Sequence, residues 1–148
     1  MFEKYTEKAR MAIFHAREET SKFGTPRIES EQLLLGLLEA DKSTFGRYLG
    51  GRTSATEIRE AVVQATEVRP PTPTSMDIPL SNESKRILMF SAEESTRSGH
   101  QHVDTEDLLF GILREEDSFA ARLLVDRGLD LEQASSIAKG IKHQPRDA

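Results

Sequence analysis

The chain has no cysteine among its 148 residues, and its longest apolar run is only Leu33–Leu38. Without cysteine, the chain has no disulfides, thiol nucleophiles or cysteine-bound metals. The apolar run is far shorter than the roughly 20 residues of a membrane-spanning helix. Residues 1–10 are charged and lack the apolar centre of a signal peptide. We therefore expect a cytoplasmic protein with no membrane partner.

An excess of positive charge is also missing. The net charge is -5, with 10 basic against 11 acidic residues over 1–68 and 10 against 14 over 69–148. Nucleic-acid binding draws most of its affinity from phosphates neutralised by lysine and arginine. The charge balance therefore argues against a nucleic-acid partner and favours a protein or peptide.

Sequence motifs of common enzymes are absent as well. The chain has no G-x-x-x-x-G-K-[ST] phosphate loop, so it is not itself an ATP-driven motor. Neither G-x-S-x-G nor H-E-x-x-H occurs. We predict a protein that is not an enzyme and that needs neither a cofactor nor a metal.

What the chain does contain is an internal repeat. Shifted by 75 positions, the sequence aligns with itself without a gap over some fifty residues. The matched pairs include Glu18 with Glu93, Gly24 with Gly99, Ile28–Glu31 with Val103–Glu106, Leu33–Leu38 with Leu108–Leu113, and Arg52 with Arg127. One helical unit is therefore used twice, and a surface site on one half is expected to have a twin on the other.

Each repeat has the hydrophobic spacing of four helices, and no segment alternates like a strand. We therefore predict an all-α fold with tandem four-helix repeats in a single domain. The predicted helices cover about 3–22, 30–39, 43–49, 55–67, 82–98, 105–114, 118–126 and 131–141. Repeat one is placed at about 1–68, a proline-rich linker at about 69–76, repeat two at about 77–142 and a frayed tail at 143–148.

Glycine occupies equivalent positions, Gly36 and Gly111, in the second helix of each repeat. A glycine inside a helix costs about 1 kcal/mol relative to alanine, so its use at both positions predicts close helix–helix approach. The second helices are nearly all apolar and are predicted to form the buried centre. The two long first helices are expected to pack in a pseudo-twofold arrangement.

Acidic residues crowd the first turn of each second helix: Glu29 and Glu31, then Asp104, Glu106 and Asp107. Asp104 and Asp107 suit the N-cap and third helical positions, and acids at a helix start offset the helix dipole. For Glu31 and Glu106, dipole compensation and ligand binding are both open.

A metal site is a further alternative. His100, His102 and Asp104 alternate along one loop, as metal ligands can. Repeat one has no histidine at the equivalent positions, and no third histidine is placed to complete a site. The preferred interpretation is a loop with two surface histidines.

Several segments resemble the N-terminal domain of ClpC-type and ClpA-type Clp unfoldases. The similarity starts at Met1–Arg10 and continues in Ile28–Leu38 and Val103–Leu113, which resemble the family's I-G-T-E-H-L-L-L-G-L-L. The opening of repeat two, Ile78–Leu88, and the later Ser118–Leu124 also fit. The resemblance covers nearly the whole chain and implies a double four-helix domain without catalytic chemistry.

In the family, this domain sits on a ring-shaped ATP-driven unfoldase and docks substrates or adaptor proteins for it. ClpC-like members have two symmetric pockets for phosphorylated arginine side chains. Carried over by motif, the peptide- or phospho-arginine-binding residues are Thr6 and Glu31 in one pocket, and Ser81, Lys85 and Glu106 in the other. A carboxylate would pair with the guanidinium, while hydroxyl or ammonium donors would meet the phosphate.

The resemblance also implies an adaptor-binding surface formed by Phe2, Arg10, Leu80 and Lys85. The alternative for Arg10 and Lys85 is a solvated helix surface, and for Phe2 it is packing of the helix start. Thr6 and Ser81 are natural N-cap residues. Glu29 and Asp104 depart from the family pattern, which has glycine there, and each adds a charge that repels phosphate.

Two contexts fit the resemblance: the N-terminal part of an unfoldase, or a free-standing regulator that binds other proteins without phospho-arginine recognition. Two rival classes are a helix-turn-helix DNA-binding regulator and a plain helical assembly module. The acidic balance and the lack of a basic recognition helix argue against the first rival. Partner-independent oligomers would indicate the second.

Overall fold

The structure is a computed structural model of the chain and describes residues 2–67 and 69–143. Within these ranges the fold is all-helical, as predicted, with eight helices and no strand. The helices are α1 (Glu7–Phe23), α2 (Ser30–Ala40), α3 (Lys42–Leu49), α4 (Ala55–Ala65), α5 (Asn82–Arg97), α6 (Thr105–Arg114), α7 (Phe119–Asp126) and α8 (Leu131–His143). No helix in this part of the chain combines the length and apolarity needed to cross a membrane.

Helices α2 and α6 form the buried centre, as their apolar sequences predicted. Every residue from Leu33 to Leu38 is buried, and so are Leu108, Leu109, Ile112 and Leu113 on α6. Helix α1 packs along α2, and α5 packs along α6. Helices α1 and α5 thus occupy equivalent places on the two halves, and the halves meet chiefly through α2 and α6.

Both central glycines lie where two helix backbones almost touch. A Cβ atom at Gly36 would lie 2.2 Å from the carbonyl oxygen of Ala12. A Cβ atom at Gly111 would lie 2.5 Å from the carbonyl oxygen of Ile87. The close helix–helix approach predicted from these two glycines is confirmed. It allows α1 to pack closely on α2, and α5 on α6.

The start of each repeat is bound to the other repeat. The Thr6 amide donates to the Val103 carbonyl at 2.9 Å, and the Val103 amide donates to the Lys4 carbonyl at 2.8 Å. This pairing explains why α1 begins at Glu7 instead of Glu3 as predicted. Before it, Glu3 and Lys4 form a turn, and Tyr5 forms an isolated parallel bridge with Val103.

The same pairing recurs 75 positions along the chain. The Ile28 amide donates to the Pro79 carbonyl at 2.9 Å, and the Ser81 amide donates to the Ile28 carbonyl at 3.1 Å. Leu80 and Ile28 form the second isolated bridge. Each half therefore holds the N-terminal segment of the other, and the helix starts that carry polar side chains are brought together in crossed pairs.

Other boundaries differ slightly from prediction. Helix α4 ends at Ala65, two residues early, and α8 continues through His143, where the tail was predicted to begin. The rest of the predicted tail, residues 144–148, lies outside the described residues. Residues 69–76 form no helix, and the Thr72 amide donates to the Ser21 carbonyl at 2.9 Å. That segment therefore lies against the end of α1.

Candidate functional site

Two related surface sites arise where the repeats cross. We call them the first crossover site, with Thr6, Arg10, Asp104 and Glu106, and the second crossover site, with Ser81, Lys85, Glu29 and Glu31. In the first site, Thr6 precedes α1 and the acidic residues lie at the start of α6. In the second site, Ser81 precedes α5 and the acidic residues lie at the start of α2. Each site thus takes residues from both repeats and exists only in the folded domain.

Thr6 is the centre of the first crossover site. Its hydroxyl accepts a hydrogen bond from the Ala9 amide at 3.1 Å and donates to Asp104 Oδ1 at 3.1 Å. Thr6 therefore caps α1, as its residue type predicted, and also joins it to the start of α6. Arg10 lies one turn along α1, exposed to solvent.

The carboxylate of Glu106 in this site already has a donor. The Tyr48 hydroxyl, on α3 of repeat one, donates to Glu106 Oε2 at 2.7 Å. Burial, and then the bond to Glu106, raises the pKa of the Tyr48 phenol, which keeps it a donor. Repeat two has Leu123 at the position equivalent to Tyr48, so this bond has no twin in the second crossover site.

Ser81 organises the second crossover site. Its hydroxyl accepts from the Ser84 amide at 3.0 Å, and Ser84 Oγ donates to the Ile28 carbonyl at 2.7 Å. Ser81 therefore caps α5, as predicted, and the first turn of α5 is fixed against repeat one. Lys85 follows one turn along, exposed to solvent.

Three carboxylates repel one another in this second site. Burial, and then repulsion from Glu29 and Glu83, raises the pKa of Glu31. Burial and Glu83 likewise raise the pKa of Glu29, against the opposing effect of Arg27. The site therefore has a negative potential that a cationic group would relieve.

The crossing changes the grouping carried over by motif, which put Thr6 with Glu31 and Ser81 with Glu106. The Thr6 hydroxyl bonds to Asp104, which lies in the same first turn as Glu106. Glu31 instead interacts with Glu83, next to Ser81. This crossed arrangement has a simple cause, since the N-terminal segment of each repeat pairs with the other repeat.

The third residue of α6, Asp107, and that of α2, Gln32, each bond back to the N-cap residue of its own helix. Asp107 Oδ2 accepts from the Asp104 amide at 2.9 Å, and Gln32 Oε1 accepts from the Glu29 amide at 2.8 Å. The predicted capping roles of Asp104 and Asp107 are confirmed by a full capping box on α6.

The loop before α6 has a local structural partner. His100 Nδ1 lies 3.0 Å from Asp107 Oδ2. Among residues 2–67 and 69–143, no group of three or more histidine or acidic side chains is arranged to hold a metal. His100 therefore contacts Asp107, the acid that completes the capping box of α6.

The residues of the predicted adaptor surface divide between the two bridges. The Phe2 ring packs edge-on against Tyr5 with centroids 5.0 Å apart, and it is partly buried. Leu80 pairs with Ile28 and packs on the core. Arg10 and Lys85 are exposed on the helices that follow. An apolar residue and a cation thus stand near each crossover site.

The sequence analysis did not identify the residues of other elements that hold the start of α6 in place. Besides Tyr48, these are Asp41 and Lys8: Thr105 Oγ1 donates to Asp41 Oδ2 at 2.7 Å, and Lys8 Nζ lies 3.7 Å from Asp41 Oδ1. Glu83 was missed as well. A single acid at the start of a predicted helix carried no signal that distinguished it from ordinary dipole compensation.

The fold and its crossed sites define the class: an all-α domain of tandem helical repeats, with two pseudo-symmetric sites built between the repeats. The sequence model of the family described as "Clp repeat (R) N-terminal domain" matches residues 4–127. The chain therefore belongs to the Clp repeat N-terminal domain family.

Curated relatives and solved structures agree with this assignment. The chain is 35% identical over 133 residues to an ATP-dependent Clp protease ATP-binding subunit ClpA homolog of Guillardia theta, covering 88% of this chain and 16% of the relative. It is 34% identical over 132 residues to the chloroplastic chaperone protein ClpC of Pisum sativum, covering 88% of this chain and 14% of the relative.

Among solved structures, the N-terminal domain of ClpD from Arabidopsis thaliana superposes with a TM-score of 0.76 at 25% identity, covering 96% of this chain and 97% of that one. The Hsp104 N-terminal domain from Candida albicans shares the fold, with a TM-score of 0.75 at 14% identity, covering 97% and 95%. The chain thus corresponds to one whole domain in those structures and to a small part of the curated relatives.

The acidic cluster of the second crossover site predicts a pH-dependent effect of Glu31→Gln. Because the folded pKa of Glu31 is raised, its contribution to stability is full below the ordinary value of 4.5 and is lost as the pH rises through the folded pKa. The variant should therefore gain melting temperature relative to wild type between about pH 4 and pH 7. Thermal melts at both pH values check this. Glu60→Gln, an exposed acid on α4, is the control and should show no such change.

Proposed function

We propose that this domain docks protein substrates or adaptor proteins for an ATP-dependent Clp unfoldase. The observation that carries the proposal is the pair of crossover sites, each joining a hydroxyl-bearing helix start of one repeat to an acidic helix start of the other. Family membership supports it, because the relatives include ATP-binding subunits of an ATP-dependent Clp protease.

The second crossover site suits an arginine side chain of the bound protein. A guanidinium has five donors in a planar fork that matches carboxylate oxygens. Glu29 and Glu31 are partly buried carboxylates that repel each other and Glu83. A cation placed among them relieves that repulsion, whereas a phosphate adds to it. Unmodified arginine is therefore the preferred ligand of this site.

A specific observation favours phospho-arginine as the second candidate. Arg10 follows Thr6 by one helical turn, and Lys85 follows Ser81 by one turn. Each site thus offers a carboxylate for the guanidinium and an exposed cation for the phosphate. The Thr6 and Ser81 hydroxyls already donate to Asp104 and Ser84, so the cation would be the main phosphate partner. The two candidates differ in whether the cation or the additional acids, Glu29 and Asp104, dominate the local potential.

The test is a calorimetric titration of the domain with two peptides of one sequence, carrying either arginine or phospho-arginine. We expect the arginine peptide to bind more tightly and the Glu31→Ala/Glu106→Ala variant to lose about tenfold or more in affinity, as expected for charge-assisted hydrogen bonds. Of the single variants, Glu31→Ala should lose more, because Glu106 is bonded to Tyr48. Glu60→Ala/Glu67→Ala, two exposed acids on and just after α4, is the charge-matched control.

The outcomes separate the candidates. A preference for the phosphorylated peptide would establish phospho-arginine reading. Equal affinity in wild type and the double variant would contradict the crossover sites. The free-standing alternative uses the same sites without a ring. It is distinguished by fusing the domain to a Clp ATPase ring and measuring whether degradation of the arginine-bearing client speeds up.

The proposal extends to adaptors at the surface formed by Phe2, Arg10, Leu80 and Lys85. Each bridge presents one apolar side chain packed at its edge and one exposed cation. An adaptor that contributes an apolar side chain beside an acid would match both. The surface adjoins the crossover sites. An adaptor and a substrate would therefore either compete for this face or bind to it side by side.

A further inference from the structure

A groove of about 490 Å³ lies between the end of α6, helix α7 and the start of α8. Its apolar lining consists of Leu113, Val125 and Leu131. Val125 is 51% exposed although it is a large aliphatic residue. The groove therefore leaves apolar surface open to solvent on the second repeat.

The rest of the lining is acidic. Four carboxylates face one guanidinium: Glu116, Asp126, Asp130 and Glu132 against Arg122. Arg122 lies 3.9 Å from Asp117, and Asp130 Oδ1 accepts from the Gln133 amide at 2.8 Å as a cap of α8. Within the described part of the chain, Glu116, Asp126 and Glu132 have no ion-pair partner. Three carboxylates are thus free to meet cations from a partner.

The duplication offers an internal comparison. At the equivalent place in repeat one, the exposed aliphatic residues and two of the acids are replaced by small or polar residues. The replacements are Gly50 for Val125, Gly51 for Asp126, Ala55 for Asp130 and Thr56 for Leu131. The other lining residues have counterparts of the same kind in repeat one, namely Leu38, Asp41, Arg47 and Glu57. The exposed valine, Leu131 and two of the four acids therefore belong to repeat two alone.

The groove is separate from the crossover sites. Asp104 and Glu106 lie at the start of α6, whereas Leu113 lies at its end. With a rise of 1.5 Å per residue, that helix separates the two by on the order of 10 Å along its axis. A ligand in the groove would leave the first turn of α6 uncovered.

We propose that this groove docks a short segment of a partner protein in which lysine or arginine alternates with aliphatic residues. Aliphatic side chains would cover exposed Val125 and half-buried Leu131 above the buried Leu113, and removal of that surface from water favours binding. The cations would meet the free carboxylates at the rim, which adds a salt-dependent attraction. The charge of the lining selects against an acidic partner. This surface is additional to the proposed docking of arginine at the crossover sites.

The test uses a short fluorescent peptide in which lysine and leucine alternate, with fluorescence anisotropy as the readout. We expect saturable binding that weakens as salt is raised. Asp126→Asn/Glu132→Gln should weaken it about three- to tenfold, as expected for two exposed ion pairs. Glu60→Gln/Glu67→Gln removes the same charge on and just after α4 and should leave affinity unchanged. Val125→Gln, an exposed change that keeps the fold, should weaken binding without changing its salt dependence.

Amide shift mapping by NMR places the peptide. Shifts confined to the end of α6, α7 and the start of α8 support the proposal. Shifts confined to Thr6, Ser81 and their neighbours would overturn it, while leaving docking at the crossover sites intact. Equal binding of a glutamate–leucine peptide, or full affinity in the Asp126→Asn/Glu132→Gln variant, would also overturn it.

Discussion

Gly36→Ala should lower the free energy of unfolding by about 2 kcal/mol, although alanine is the better helix former by about 1 kcal/mol. The added methyl group would lie 2.2 Å from the Ala12 carbonyl oxygen and 2.7 Å from the Ala16 amide nitrogen. Both are backbone atoms, so α1 must move away from α2 to admit it. Denaturant unfolding measures the loss, and the melting temperature should fall by about 4–8 °C.

Two other glycines make this prediction sharp. Gly46 lies inside α3, where a Cβ atom would meet nothing within 4 Å. Gly46→Ala should therefore raise stability by about 0.5–1 kcal/mol. Gly111→Ala should resemble Gly36→Ala, since the Ile87 carbonyl lies 2.5 Å from its Cβ position. If Gly36→Ala and Gly46→Ala change the melting temperature equally, the close packing of α1 on α2 is wrong.

Asp41→Ala should cost about 3 kcal/mol near neutral pH, since it removes a helix cap and leaves a buried hydroxyl without a partner. Asp41 is 6% exposed and accepts from the Thr44 amide at 3.3 Å, which caps α3. It also accepts from Thr105 Oγ1 at 2.7 Å across the repeats. Thermal unfolding should show a melting temperature lower by about 6–12 °C.

The effect of Asp41 should also depend on pH. Burial opposes its ionisation, but hydrogen bonds from Thr105 and Thr44, together with Lys8, outweigh burial and lower the pKa of Asp41 below its usual 3.8. Its contribution is therefore present above about pH 4 and is lost as the pH falls through the lower folded value. Glu116, the exposed equivalent in repeat two, is the control: Glu116→Ala should change stability little. A loss from Asp41→Ala that does not shrink in acid would contradict this linkage.

The candidate sites divide by how far apart their partners lie in sequence. Local roles could be predicted, because Thr6, Ser81 and Asp104 cap helices that begin beside them. The bond from Tyr48 to Glu106 joins residues 58 positions apart. The position of a hydroxyl on one amphipathic helix does not indicate which distant carboxylate it will meet, so this contact was not predictable from the pattern.

The sequence by itself determined the helices, the duplication and the buried centre, because these follow from hydrophobic spacing, helix punctuation and the paired glycines at positions 36 and 111. Only the tertiary structure decided which acids stand beside which hydroxyls. The backbone bridges of Tyr5 with Val103 and of Ile28 with Leu80 cross between repeats. A pattern repeated along one chain is the same whether each unit closes on itself or on its twin, so that choice is made only when the two units pack together.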